Sequence, residues 1–74
     1  MVEIKQIIAT TLQIPLESVR DDSSNQSIPE WDSLGHMNLI MALEKHFGVA
    51  FTLDEIIELT DLATIQRVIS EKKG

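Results

Sequence analysis

No cysteine occurs among the 74 residues of the chain, so neither a disulfide nor a thiolate metal site can help to hold it together. Turn chemistry is equally sparse: two prolines and three glycines leave too few reversals for a many-stranded fold. Aromatic residues are confined to Trp31, Phe47 and Phe51, so Ile, Leu, Val and Met must supply the core. Positive charge is also in deficit. Twelve acids face six bases, a formal charge of −6, which repels nucleic acid and anionic lipid and steers the chain toward basic partners. No apolar run approaches the ~20 residues of a membrane span. The first residues, MVEIKQIIATTL, lack the pattern of a secretory signal, so a cytoplasmic location is expected. What remains is an apolar content of 43%, too high for a disordered tail. A single domain of this size buries a thin core and must rely on short-range helical packing.

The pattern bears that out along the chain. Val2, Ile4, Ile7, Ile8 and Leu12 recur at helical spacing, and Pro15 predicts that the first helix ends near Ile14. A long polar connection follows, in which Leu16, Val19 and Ile28 are expected to pin the loop to the core. Asp32 is placed to cap a second helix that runs to Phe47, with Gly48 as its stop. Thr52 and Glu55 form a capping box for a short third helix through about Leu59. The stretch TDLATIQRVISEKK reads as a last helix with Leu62, Ile65, Val68 and Ile69 inward and Lys72 and Lys73 suiting its end. The expected architecture is all-α: a small four-helix bundle over residues 1–74, three main helices plus a short third one, with a long loop between the first two.

The second helix carries two apolar stripes. At about 100° per residue, Leu39, Ile40, Leu43 and Phe47 cluster on one side and form the core face. Leu34, Met37 and Met41 form another stripe well over a right angle away. A surface helix usually needs only one. Either this helix is buried on most sides, or the second stripe is an exposed docking face, a role for which methionine is adaptable. Nearby acids, Glu44 with Asp54, Glu55, Glu58 and Asp61, make either a solvated face or a patch for a basic partner.

Catalytic signals are weak. WDSLG is not a nucleophile elbow, because Trp31 stands where that motif has glycine and no buried strand precedes it. His36 and His46 have no acidic or thiol cluster at ligand spacing; His36 falls on the core side as a packed, hydrogen-bonded residue, and His46 points to solvent. No enzyme activity and no metal site are expected. Ser33 has two readings. It helps to start the helix, or it is a point of attachment, since free N–H groups and the dipole of a helix N-terminus stabilise a phosphate.

Asp32-Ser33-Leu34 followed by MNLIMALEKHFGV resembles the acyl carrier protein family at the motif where a 4′-phosphopantetheine arm is esterified to serine. The likeness takes in the apolar spacing of helix two, Leu43-Glu44 and Phe47-Gly48 at its end, an acidic third helix, and Thr64-Ile65-Gln66 in the last helix, covering about residues 2–70. It implies that Ser33 carries the arm, taken from coenzyme A, and that cargo is held on it as a thioester. Asp32 corresponds to the motif acid that helps a phosphopantetheinyl transferase set up metal and coenzyme A. Leu34, Met37 and Met41 correspond to positions that partners grip, and Glu44, Asp54, Glu55 and Glu58 lie where basic surfaces of acyl-loading and acyl-transfer enzymes are met. A monomer without nucleic-acid or membrane partners is implied. Gly35 and Asn38 stand where carriers of fatty acid synthesis have acids, and Lys45 and His46 replace others. The form WDSLGH looks more like discrete carriers of specialised pathways. Cargo stays open: acyl, aminoacyl or peptidyl (a D-alanine carrier also has a glycine after the motif), with an unmodified helical interaction domain as the reading from another class.

Overall fold

Among the described residues, three helices begin at a side chain that accepts from their own first turn. In the computed structural model, which describes residues 2–73 with the side chain of Val2 excepted, α1 spans Val2–Leu12, α2 Ser33–Phe47, α3 Leu53–Glu58 and α4 Leu62–Lys73. Asp32 Oδ1 accepts from Gly35 N at 2.8 Å. Thr52 Oγ1 and the Glu55 carboxylate close the reciprocal capping box, at 3.2 and 2.8 Å. Asp61 Oδ1 accepts from Thr64 N at 2.7 Å. Each such bond satisfies a donor that the helix itself leaves open.

The stops are equally local. Gly48 ends α2 in the left-handed conformation, φ 66°, which glycine adopts without cost. The first helix stops two residues short of the expected Ile14. Ile14 precedes a proline and is pushed toward extended backbone, so the reversal falls earlier, on Gln13 at φ 57°. The Ile14 N–H donates to Ala9 O at 3.0 Å and the Gln13 N–H to Thr10 O at 3.4 Å, the pair of bonds that defines a Schellman motif.

One core gathers these elements. Ile4, Ile8 and Leu12 of α1 meet Leu39, Ile40 and Leu43 of α2 and Leu62, Ile65, Val68 and Ile69 of α4, all buried; Ile7 and Phe47 are half-buried against this cluster. Full burial of such side chains is worth about 1.5–3 kcal/mol each, which offsets the ordering entropy of so short a chain. No helix among the described residues is long and apolar enough to cross a membrane.

The long connection between α1 and α2 is tied down at several points. Val19 and Ile28 enter the core as expected, but Leu16 does not: it is 43% exposed. It opens a 3-10 turn, Leu16–Ser18, that buries none of its residues and hands the inward direction to Val19. Trp31 replaces it as an anchor, 3% exposed. Ser23 is buried too, its hydroxyl accepting from Arg20 N at 2.7 Å. At Ser24 and Asp61 loop and corner pair as a single antiparallel bridge. Asn25 N donates to Thr60 O at 2.9 Å, and Leu62 N donates to Ser23 O at 3.0 Å. The loop therefore satisfies an open donor of α4, which joins the start of one helix to the approach of another.

Candidate functional site

Ser33 is the first residue of α2 and is exposed. The capping bond that begins the helix is made by Asp32, so the helix start does not need the Ser33 hydroxyl, and Ser33 Oγ makes no hydrogen bond among the described residues. The backbone is held firmly around it. His36 N donates to Asp32 O at 2.7 Å, while Gly35 N is taken by the Asp32 carboxylate. The N–H groups of Ser33 and Leu34 carry no partner among the described residues. This is an open, partly positive end of a 15-residue helix with a free hydroxyl on its first residue, and an esterified phosphate fits it.

Gly35 is buried, and the reason lies in the loop. A Cβ there would fall inside contact distance of the Glu30 backbone oxygen and 3.0 Å from Leu12 Cδ2. The chain approaching the serine crosses directly over this turn of α2, and only glycine leaves room for it.

On the outer side of α2 the second stripe is exposed. Leu34, Met37 and Met41 are 72%, 48% and 57% accessible, so the alternative of a helix buried on most sides does not hold. Two further apolar residues are exposed on α3, Leu53 and Ile57, 72% and 65% accessible, and Ile57 shares a groove with Ser33 and His36. Sequence reasoning missed both. The signal was present, because the capping box puts Leu53 at the first helical position, and Ile56 and Leu59, three apart and turned inward, leave Ile57 outside.

The acids divide into two groups. Asp54 and Glu58 are exposed on α3. Glu44 is turned back on its own chain, Oε2 accepting from Phe51 N at 3.0 Å. Glu55 is committed to the capping box and to Lys72, whose Nζ lies 2.9 Å away; Thr52 first, and Lys72 after it, hold its carboxyl below the usual carboxylate range. Glu44 and Glu55 thus brace the fold, whereas Asp54 and Glu58 are left facing solvent. Asp61 is likewise held low by its bonds from Thr64, as a helix cap should be.

His36 is half-buried and fully engaged, as its place on the core side implies. Trp31 Nε1 donates to its Nδ1 at 3.0 Å, and its Nε2 lies 2.7 Å from Ile56 O. His46 is exposed, 3.7 Å from Glu3. A groove of about 400 Å³ opens beside the serine, lined by Asn25, Trp31, Asp32, Ser33, His36, Ile56, Ile57 and Thr60. A larger one, about 630 Å³, lies between α1 and the far half of α2. It contains no residue of the serine's turn, so the smaller groove is the one that adjoins Ser33.

Comparison with known proteins agrees with this geometry. Residues 2–69 match the family described as a phosphopantetheine attachment site. An acyl carrier protein of Picosynechococcus sp. is 32% identical over 72 residues, spanning 97% of this chain and 89% of that one. Another, from Petrotoga mobilis, is 31% identical over 70 residues, 95% of this chain and 82% of that one. A polyketide-8 synthase acyl carrier protein of Streptomyces avermitilis is 25% identical over 72 residues, 97% of this chain and 83% of that one. The solution structure of the holo acyl carrier protein of Geobacter metallireducens superposes with a TM-score of 0.83 at 28% identity, over 95% of this chain and 80% of that one.

Proposed function

Because the chain belongs to the acyl carrier protein family, a set of carriers with a covalent 4′-phosphopantetheine, we propose that Ser33 is the residue that bears the arm. One observation carries the assignment: Ser33 stands exposed at the head of α2 with its hydroxyl uncommitted, because Asp32 does the capping. The thiol at the end of the arm supplies the thioester chemistry that a chain without cysteine lacks. Asp32 is exposed and only one of its carboxylate oxygens is engaged in the cap, which leaves the other for a transferase to use in positioning metal and coenzyme A.

The partner face is centred on Leu34, Met37 and Met41 and extended by Leu53 and Ile57, with Asp54 and Glu58 as its free acids. Glu44 and Glu55 contribute their charge from fixed positions. A phosphopantetheinyl transferase and acyl-loading or acyl-transfer enzymes with basic surfaces fit such a face, in which apolar contact supplies affinity and charge steers the encounter. Gly35, Asn38, Lys45 and His46 make α2 poor in acid, which favours a specialised pathway over general fatty acid synthesis. The chain acts as one non-catalytic, monomeric carrier domain in the cytoplasm. The family match favours this armed carrier over an unmodified interaction domain.

The direct test is intact mass after incubation with coenzyme A, magnesium and a broad-specificity phosphopantetheinyl transferase. Wild type is expected to gain one phosphopantetheinyl group and Ser33→Ala none, with unchanged helical circular dichroism. A gain on Ser33→Ala, or a wild type that stays unmodified while folded and initially free of the arm, would overturn the assignment.

A further inference from the structure

Three segments meet at His36 beside the serine. Trp31, from the loop, donates to Nδ1 at 3.0 Å, and Ile56 O, from α3, lies 2.7 Å from Nε2. An indole N–H only donates and a carbonyl only accepts, so the neutral ring protonated on Nε2 satisfies both contacts at once. The two rings lie edge to edge and nearly parallel, with centroids 6.4 Å apart and 22° between planes, as an in-plane hydrogen bond between ring nitrogens requires. His36 therefore bolts the first turn of α2 to the loop on one side and to α3 on the other, across the seam where α2 and α3 part.

Behind that seam the space is taken. Leu39, Leu43, Leu59 and Ile65 are all 0% exposed, and Trp31, whose indole bonds to the His36 ring edge, is 3% exposed. Outside it lies the open groove, whose walls mix Asn25 and Thr60 with Ile57. Opening the seam would break both His36 bonds and strand the N–H of a buried indole, a costly state for a polar group away from water.

Resting on the reading that Ser33 bears the arm, we propose that Trp31 and His36 are specificity-determining residues that shut the bundle core to cargo. An acyl group on the arm stays in the external groove and is not drawn between the helices. Such a site suits short or polar acyl groups, because a long apolar chain would leave methylenes in water that a core site would bury.

The test loads acetyl or octanoyl pantetheine arms onto the full chain from the corresponding acyl-coenzyme A, with mass confirming each product. In wild type the melting temperatures of the two forms are expected to agree within about 2 °C. The methyl resonances of Ile56 and Ile57 should move with cargo, and those of Leu39, Leu43, Leu59 and Ile65 should not. An octanoyl form stabilised by about 5 °C or more, as burial of several methylenes would give, with the core methyls shifted, overturns the proposal. In His36→Ala that chain-length dependence should appear, and His36→Gln, which restores a donor and an acceptor, should suppress it again. A His36→Ala protein indifferent to chain length refutes the role of the clamp. If that variant does not fold, Trp31→Phe removes the indole donor and keeps a ring in the core, and is held to the same criterion. Should loading fail on mass, the attachment reading falls by itself. Millimolar free octanoyl-pantetheine then poses the same question to the core methyls, where a shift in wild type overturns the proposal and a shift confined to His36→Ala supports it.

Discussion

Alanine in place of Gly35 would ordinarily be expected to strengthen α2. Within a helix, glycine costs about 0.8–1 kcal/mol relative to alanine, and Gly35 sits in the first turn of a 15-residue helix. The structure reverses the sign. The new methyl group would lie inside contact distance of the Glu30 backbone oxygen, 3.0 Å from Leu12 Cδ2 and 3.3 Å from Asp32 Oδ1. Leu12 can yield, being the end of a flexible side chain. The Glu30 carbonyl cannot yield cheaply, because the next residues are the buried Trp31 and the capping Asp32. Overpacking of this kind costs about 1–3 kcal/mol. A clash with rigid backbone falls in the upper half of that range, about 2–3 kcal/mol, so after the gain in propensity the net loss is about 1–2 kcal/mol. At about 4–8 °C per kcal/mol for a domain of this size, Gly35→Ala should melt about 4–16 °C below wild type by circular dichroism. Asn38→Ala, on the exposed face of the same helix, serves as the reference and should be neutral or slightly stabilising. The modification rate at Ser33 should fall with Gly35→Ala, since Asp32 and Ser33 ride on the displaced turn. A melting temperature at or above wild type would refute the reasoning, showing that the loop does not cross α2 so closely.

Other expectations follow from single features. Gln13 holds the left-handed position after α1 with φ 57°, so Gln13→Gly should raise stability by about 0.5–1 kcal/mol in urea unfolding; a loss would mean that the reversal is not left-handed. Met41→Glu should change stability by less than about 1 kcal/mol, as a surface position does, and still slow transfer to a partner enzyme; a large fall in melting temperature would return Met41 to the core. The carboxyls of Asp21, Glu55 and Asp61 are held low, by Lys5, by Thr52 with Lys72, and by Thr64 respectively. Below the ordinary carboxylate value of about 4 the unfolded chain takes up protons that these groups refuse in the fold. Their stabilisation is therefore complete above that value and disappears as pH falls through the lower folded values. Urea midpoints should drop between pH 5 and about pH 3, and drop less in Asp61→Asn, which keeps a capping side chain but not the charge. An equal drop in that variant would clear Asp61 of the effect.

What could be read from the chain was what its neighbours in sequence decide. The caps at Asp32 and Thr52 and the stop at Gly48 act over three or four residues, so composition and spacing announce them. The same holds for the inward faces of α2 and α4. The route of the loop is different. Gly35 looks like a missing acid when compared with other carriers, and only the passage of Glu30 above it explains the glycine. Leu16 has the composition of an anchor and is turned outward by the short 3-10 turn that it begins. Gln13 gives no hint of a left-handed backbone. Trp31 and His36 are only five positions apart, but they lie on either side of a helix start, where no periodicity relates them. Ser33 was conspicuous through its motif. That Asp32 relieves it of the capping duty became visible only with the hydrogen bonds in place.

The bonding around the head of α2 has a consequence for motion. Helix ends usually fray, yet this one is gripped by its cap, by Trp31 and Ile56 through His36, and by a loop whose own backbone is stitched to the start of α4. On the proposed attachment, a tether rooted there would swing from a stationary pivot. The search volume of the cargo is then set by the tether alone, and a docking enzyme need not spend binding energy on ordering the protein beneath it. With the arm on Ser33, as proposed, the mobility required for delivery and the rigidity required for recognition would fall on different sides of one ester bond.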